Sequence, residues 1–359
     1  MLKSQKTMDD FFKNPSSSTK YEIKRYFYLI WENKYKPNVQ AYWTDKRPEK
    51  VNFIEQVSCN YIKKGYYFYI CGYFSDYEDK SYYLTKEKVY KNVPYLKSHL
   101  QKCIRKCDDL LAIPTCFHLF KLDLTELLRR LPIIMIEDVM LHESYSTLLW
   151  LMIANSTNKF KMKQYIYEWI LGVVYVLCKI ETKDVKDAKD AKDAKDAKDA
   201  KDAKDEKNIL DTLNLYNKDG FSKNELSLLY CMHMRIAYGG MDCDLKMIKE
   251  SINIWKERFI DKSYKVNNME IRPVSIYVKE LSLQDWDISA IDYHCNSKIL
   301  DHISKKYDEI TSEEIKKVIW YHSSSINNRV KNDEYNNKLW NEIKNYVEKT
   351  QKYLLDSSH

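Results

Sequence analysis

Four residues near the start of the chain, Gln5, Met8, Phe11 and Phe12, are spaced as a docking peptide would space them. One helical turn gathers Met8, Phe11 and Phe12 on one side as a three-pronged apolar plug. Gln5, extended ahead of that turn, offers a donor and an acceptor to a small polar site. Thr7 can bond back to the turn, and Asp9 and Asp10 suit its positive end. Residues 14–20, Asn-Pro-Ser-Ser-Ser-Thr-Lys, then form a polar tether with no capacity to join a core.

A second constellation is Arg129, Arg130, Glu137 and Asp138, with Arg105 and Lys106 upstream. Arg130 and Glu137 are seven apart and share a helical face, so they can orient each other or bind a phosphate. Two readings are open: an anion site, or an ion-pair network that pins helices together, and the second is preferred. Arg130 is therefore expected to pair with Glu137 or Asp138, leaving Arg129, Arg105 and Lys106 to contact a phosphate backbone. As a metal centre the set is incomplete, because no Glu-x-Lys on an adjacent strand follows Glu137-Asp138 to complete it. A third cluster, Asp285, Asp287, Asp292, His294, Cys295 and His302, has the atoms for a metal or a Cys–His pair. Its spacing matches no zinc signature, and it reads as a loop and helix start docked on the core. No Gly-x-x-x-x-Gly-Lys-Ser/Thr phosphate loop occurs in the chain. No metal and no cofactor are expected.

The pattern Gln-x-x-aliphatic-x-x-aromatic-aromatic of residues 5–12 resembles the PIP box, the peptide that plugs into the sliding clamp PCNA. That resemblance implies PCNA as a partner and a role in DNA replication or repair, with DNA as a possible second partner. The run His99-Leu-Gln-Lys-Cys-Ile-Arg105-Lys106, continuing through Leu127-Leu-Arg-Arg-Leu-Pro to Glu137-Asp138-Val139, carries a further likeness. Over residues 96–156 it resembles the helical C-terminal region of the clamp-loader-like recombination ATPases (the RarA/MgsA/WHIP family). Without a phosphate loop, this implies the helical scaffold and not the motor. The expectation is an accessory factor of replication or repair, more a binding protein than an enzyme. It would work in the nucleus or in a viral replication compartment in the cytoplasm. Two alternatives are a metal-dependent DNA repair nuclease and a structural adaptor.

These residues need elements to hold them. With 359 residues and 44% hydrophobic content the chain can bury a substantial core. A net charge of +7 permits nucleic-acid binding without establishing it. The nine cysteines include no Cys-x-x-Cys pair, and no signal-peptide pattern opens the chain, so reduced thiols in a cytosolic or nuclear protein are expected. The longest apolar run, Trp169 to Cys178, is too short for a bilayer and reads as a buried helix, so no membrane is implied.

The fold class is mainly α: a multi-helix globular body, a small β-containing N-terminal module, a disordered N-terminal tail and a low-complexity insertion. The tail is 1–20 and the β-containing module 21–93. Tyr66 to Phe74 and Ser81 to Thr85 read there as two strands around a polar turn, the one good sheet signal. Tyrosines interleaved with lysines either form a stacking platform for single-stranded nucleic acid or fill a half-buried face, and the second is preferred. Residues 94–182 form a helical core. One helix runs from Pro94 through Leu111, another from Leu122 to Leu131, and Pro132 starts or kinks the next. Glu143 to Asn155 and Met162 to Ile180 follow. Residues 183–206 are one KDV, six KDA and one KDE triplet, a solvated linker. Residues 207–359 form a helical domain packed on the core. It opens with a capping box at Ser222 and Glu225, and Gly239-Gly240 stops that helix after Ala237. Leu245 to Phe259, Thr311 to Tyr321 and a last helix faced by Trp340, Ile343, Val347 and Leu354 complete it.

Overall fold

Arg25–Trp31 (β1) reads Arg-Tyr-Phe-Tyr-Leu-Ile-Trp, a strand too apolar to alternate, and it lies inside a sheet with both faces covered. The computed structural model describes residues 25–33, 39–57, 67–75, 92–184, 220–276, 296–307, 309–325, 327–329 and 334–356. Ala41–Thr44 (β2) pairs antiparallel with β1, and Phe68–Phe74 (β4) pairs parallel on its other side. Phe53–Val57 (β3) closes the far edge, antiparallel to β4, giving the order β2-β1-β4-β3. Of the strands expected, Phe68–Phe74 is present, and residues 81–85 lie outside the described ones. Three further strands correct the view that this was the one sheet signal.

Because β2 and β3 occupy opposite edges, their connection, residues 45–52, has to cross the sheet. It does so over the face bearing Tyr26, Tyr28 and Cys71, all buried. The Tyr28 hydroxyl donates to the Lys50 carbonyl at 2.5 Å, and the Lys50 ammonium lies 5.7 Å from the Tyr73 ring centre. Asn52 anchors the end of this strap through both backbone polar groups of Phe74, at 2.6 and 3.0 Å. Tyr26 and Tyr69 stack at 5.4 Å. Among the described residues, Tyr26, Tyr28, Tyr69 and Tyr73 therefore fill a strapped face rather than an open stacking platform.

The opposite face, with Phe27, Leu29, Trp31, Trp43, Phe68 and Phe74, packs on the helices in one continuous core. Val93–Arg105 (α1) starts with Asn92 capping Tyr95 N at 3.0 Å and Pro94 in the first turn. It stops before Leu111, where the sequence pattern would have carried it. Cys107 takes the left-handed conformation (φ 61°) and Asp108 caps a new helix, Asp109–Asp138 (α2), through Leu111 N at 3.1 Å. α2 breaks at Asp123 (φ −155°, ψ 89°), whose carboxylate caps Glu126 N. The break is therefore at a capping aspartate, and Pro132 lies within helix instead of starting one.

Tyr145–Ser156 (α3) lies on the sheet, its Trp150 indole donating to the carbonyls of Phe27 (3.1 Å) and Cys71 (3.0 Å). Gln164–Lys179 (α4), Lys223–Ala237 (α5) and Asp242–Asp261 (α6) share the same core. The capping box of Ser222 and Glu225 is present. Ser297–Lys306 (α7), Ser312–Ile319 (α8), the π-helix Trp320–Ser325 and Glu334–Asp356 (α9) follow, and α7, α8 and α9 gather around a separate apolar cluster. The protein is mainly helical with a small N-terminal sheet, as expected. Among the described residues no helix is long and apolar enough to cross a membrane.

Gly172 in α4 faces the backbone of the segment that follows α6. A Cβ there would meet the Arg272 carbonyl oxygen at 2.3 Å, while Val274 N bonds Glu168 O at 2.9 Å. In an open helix Gly→Ala gains about 1 kcal/mol. Here Gly172→Ala is expected to reverse that sign and cost about 1–3 kcal/mol, because the backbone has to move away. Urea unfolding of the two proteins measures the sign directly.

Candidate functional site

The charged residues of the second constellation meet where helices end. Arg105 is the last residue of α1 and Glu137-Asp138 the last of α2. A helix C-terminus is the negative end of its dipole, so an arginine there is favoured and two carboxylates there need cations. Arg105 supplies one. Its Nε donates to Asp138 Oδ1 and its Nη2 to Glu137 Oε1 at 2.9 Å. Gln101, one turn earlier on the same face of α1, donates to Asp138 Oδ2 at 2.7 Å and to Glu137 Oε2 at 2.9 Å. The Asp138 side chain is 2% exposed and the Arg105 side chain 11%. Burial pushes the Asp138 carboxyl up from the usual carboxylate range, and neighbouring Glu137 adds to the rise, outweighing the pull of Arg105 and Gln101.

Arg130 extends this hub. It donates to Gln101 Oε1 and, at 3.2 Å, to Asp244 of α6, while Glu137 lies 3.9 Å away. The expected contact with Glu137 exists, but the closer acidic partner is Asp244. Arg105, expected on a phosphate-facing surface, is instead the principal counter-charge of Glu137 and Asp138. The physical reason is that a carboxylate as buried as Asp138 requires a cation at bonding distance. Arg129 is also engaged: its Nη2 donates to Gly239 O at 3.3 Å, and its own carbonyl receives Arg235 at 3.1 and 3.2 Å. Lys106 caps α1, and its carbonyl accepts from Asn328 Nδ2 at 2.7 Å. Gln101, Asp244 and Arg235 were missed. Only Gln101 left a local signal, four residues before Arg105.

A third helix end joins the first two. Asn327 Nδ2 donates to Asp138 O at 2.7 Å. Arg329 reaches Ile104 O on α1 at 2.8 Å, then Ile180 O at 2.6 Å and Leu177 O at the end of α4. One guanidinium thus satisfies carbonyls at two helix C-termini, beside a third.

A cleft of about 330 Å³ lies elsewhere, between β2, the starts of α3 and α5, and the end of α6. Gln40 donates to its Glu143 at 2.5 Å, and burial raises that carboxyl. Glu225 is committed to the α5 cap and to Lys262, at 3.0 Å. Among the described residues no cluster of three or more His, Cys, Asp or Glu could hold a metal. Gln5, Met8, Phe11 and Phe12 lie outside the described residues, as do residues 285–295 of the third cluster; His302 stacks on Tyr346 at 3.8 Å. Comparison of the chain with protein-family models, curated proteins and solved structures finds no match.

Proposed function

We propose that the protein is an accessory factor of DNA replication or repair that rides the sliding clamp PCNA. Gln5, Met8, Phe11 and Phe12 are the clamp-binding residues, and their spacing is the observation that carries the proposal. The helical body serves as the scaffold attached to that peptide, which fits the likeness of residues 96–156 to the clamp-loader-like family. DNA is a further partner that the basic excess permits, with the nucleus or a viral replication compartment as the place of action. The nuclease alternative is weakened at one of its two candidate centres, because Glu137 and Asp138 spend their oxygens on Arg105 and Gln101. A peptide of residues 1–20 is expected to bind PCNA in calorimetry. Phe11→Ala with Phe12→Ala should lose at least about 2 kcal/mol, the scale of buried aromatic anchors. Equal binding by both peptides overturns the proposal and leaves the adaptor reading.

A further inference from the structure

We infer that Asn327-Asn328-Arg329 is a latch: through it the helices α7 to α9 attach to the body as a separately folded unit that opens without either part unfolding. The first support is packing. Ile299, Ile303, Ile315, Ile319, Ile343 and Val347 are buried against one another in a cluster distinct from the core under the sheet. Such a unit keeps its own apolar interior when it separates.

The second support is the chemistry of the attachment. Asn328 N donates to Arg105 O at 3.0 Å and its side chain to Lys106 O; Asn327 and Arg329 take the carbonyls at the ends of α2, α1 and α4. These core-side acceptors are all backbone carbonyls at helix ends, which water satisfies readily once the donors leave. The donors are pre-arranged as well, because Arg329 N bonds Asn327 Oδ1 at 3.1 Å and fixes the turn. Opening uncovers the ends of α1, α2 and α4 beside the Arg105–Asp138 hub, a surface the closed form hides.

Hydrogen–deuterium exchange on the full-length chain tests this, comparing wild type with Arg329→Ala and the milder Asn328→Ala. A latch predicts at least about ten-fold faster exchange at residues 327–329 in Arg329→Ala, with wild-type rates retained inside 312–319 and 145–156. Asn328→Ala, losing one side-chain bond, should show the same pattern at about two- to five-fold, and carries the test alone if Arg329→Ala does not fold. Uniform acceleration through both the body and α7 to α9, or no change at 327–329, overturns the latch and makes the triplet ordinary packing.

Discussion

Arg105→Ala is expected to remove about 3–5 kcal/mol of stability near neutral pH, because it leaves a buried carboxylate without its counter-charge. Asp138 is the residue left exposed to that penalty, with Gln101 and the Asn327 contact to its carbonyl as remaining partners. The loss should depend on pH in a defined direction. Without Arg105 the Asp138 carboxyl rises further above its unfolded value, so the folded variant takes up a proton more readily than the unfolded chain. The resulting penalty grows as pH rises from the unfolded value near 4 towards the raised folded value. Denaturant titrations should therefore show a larger deficit at pH 8 than at pH 5. Adding Asp138→Asn to Arg105→Ala should recover part of it. A single variant as stable as the parent at pH 8 would mean that the hub contributes nothing to the fold.

Acid is the second large perturbation, acting through His142. This imidazole is 1% exposed, and burial lowers its pKa from 6.5 to about 4. Its Nδ1 accepts from Ser144 N at 3.1 Å while Nε2 donates to Met269 O at 3.0 Å, an arrangement only the neutral ring can make. The unfolded imidazole binds its proton near pH 6.5, whereas the folded one stays neutral to about pH 4. Its contribution is thus complete above pH 6.5 and disappears as pH falls to 4. The span of 2.5 pH units corresponds to about 3 kcal/mol. His233 is shifted the same way, to about 4 and also by burial, and adds to the same acid sensitivity. Stability measured at pH 7, 5.5 and 4.5 should fall steadily, and His142→Asn should start lower and fall less. An identical slope in that variant would assign the acid sensitivity elsewhere.

Local signals translated well from sequence to structure. The capping box at Ser222 and Glu225 and the glycine stop after Ala237 depend on a few neighbouring residues, and both are present. The β1 strand was hidden because burial on two faces erases alternation. The break between α1 and α2 was hidden because Leu111 keeps the helical spacing while Asp108 resets the chain. The hub was legible as an ion-pair network but not in its pairing. Arg130 meets Asp244 across 114 residues, and Asp138 meets Asn327 across 189, distances over which residue spacing carries no information. The clamp peptide was read entirely from spacing, on residues whose geometry is not described.

The strand order has a consequence for the chain as it is made. β1 and β2 leave the ribosome as a hairpin, and the open edge of the apolar strand β1 presents unpaired N–H and C=O groups. Its partner on that side is β4, which is synthesised only after the strap and β3. Trp150, which ties β1 to β4 from beneath, arrives later still. During that interval the nascent hairpin presents an unpaired edge and an uncovered aromatic face to every neighbouring chain. Slowing translation within residues 32–75 should therefore raise the aggregated fraction of newly made protein, whereas the same delay after residue 261, once α3 to α6 that cover the aromatic face are made, should not.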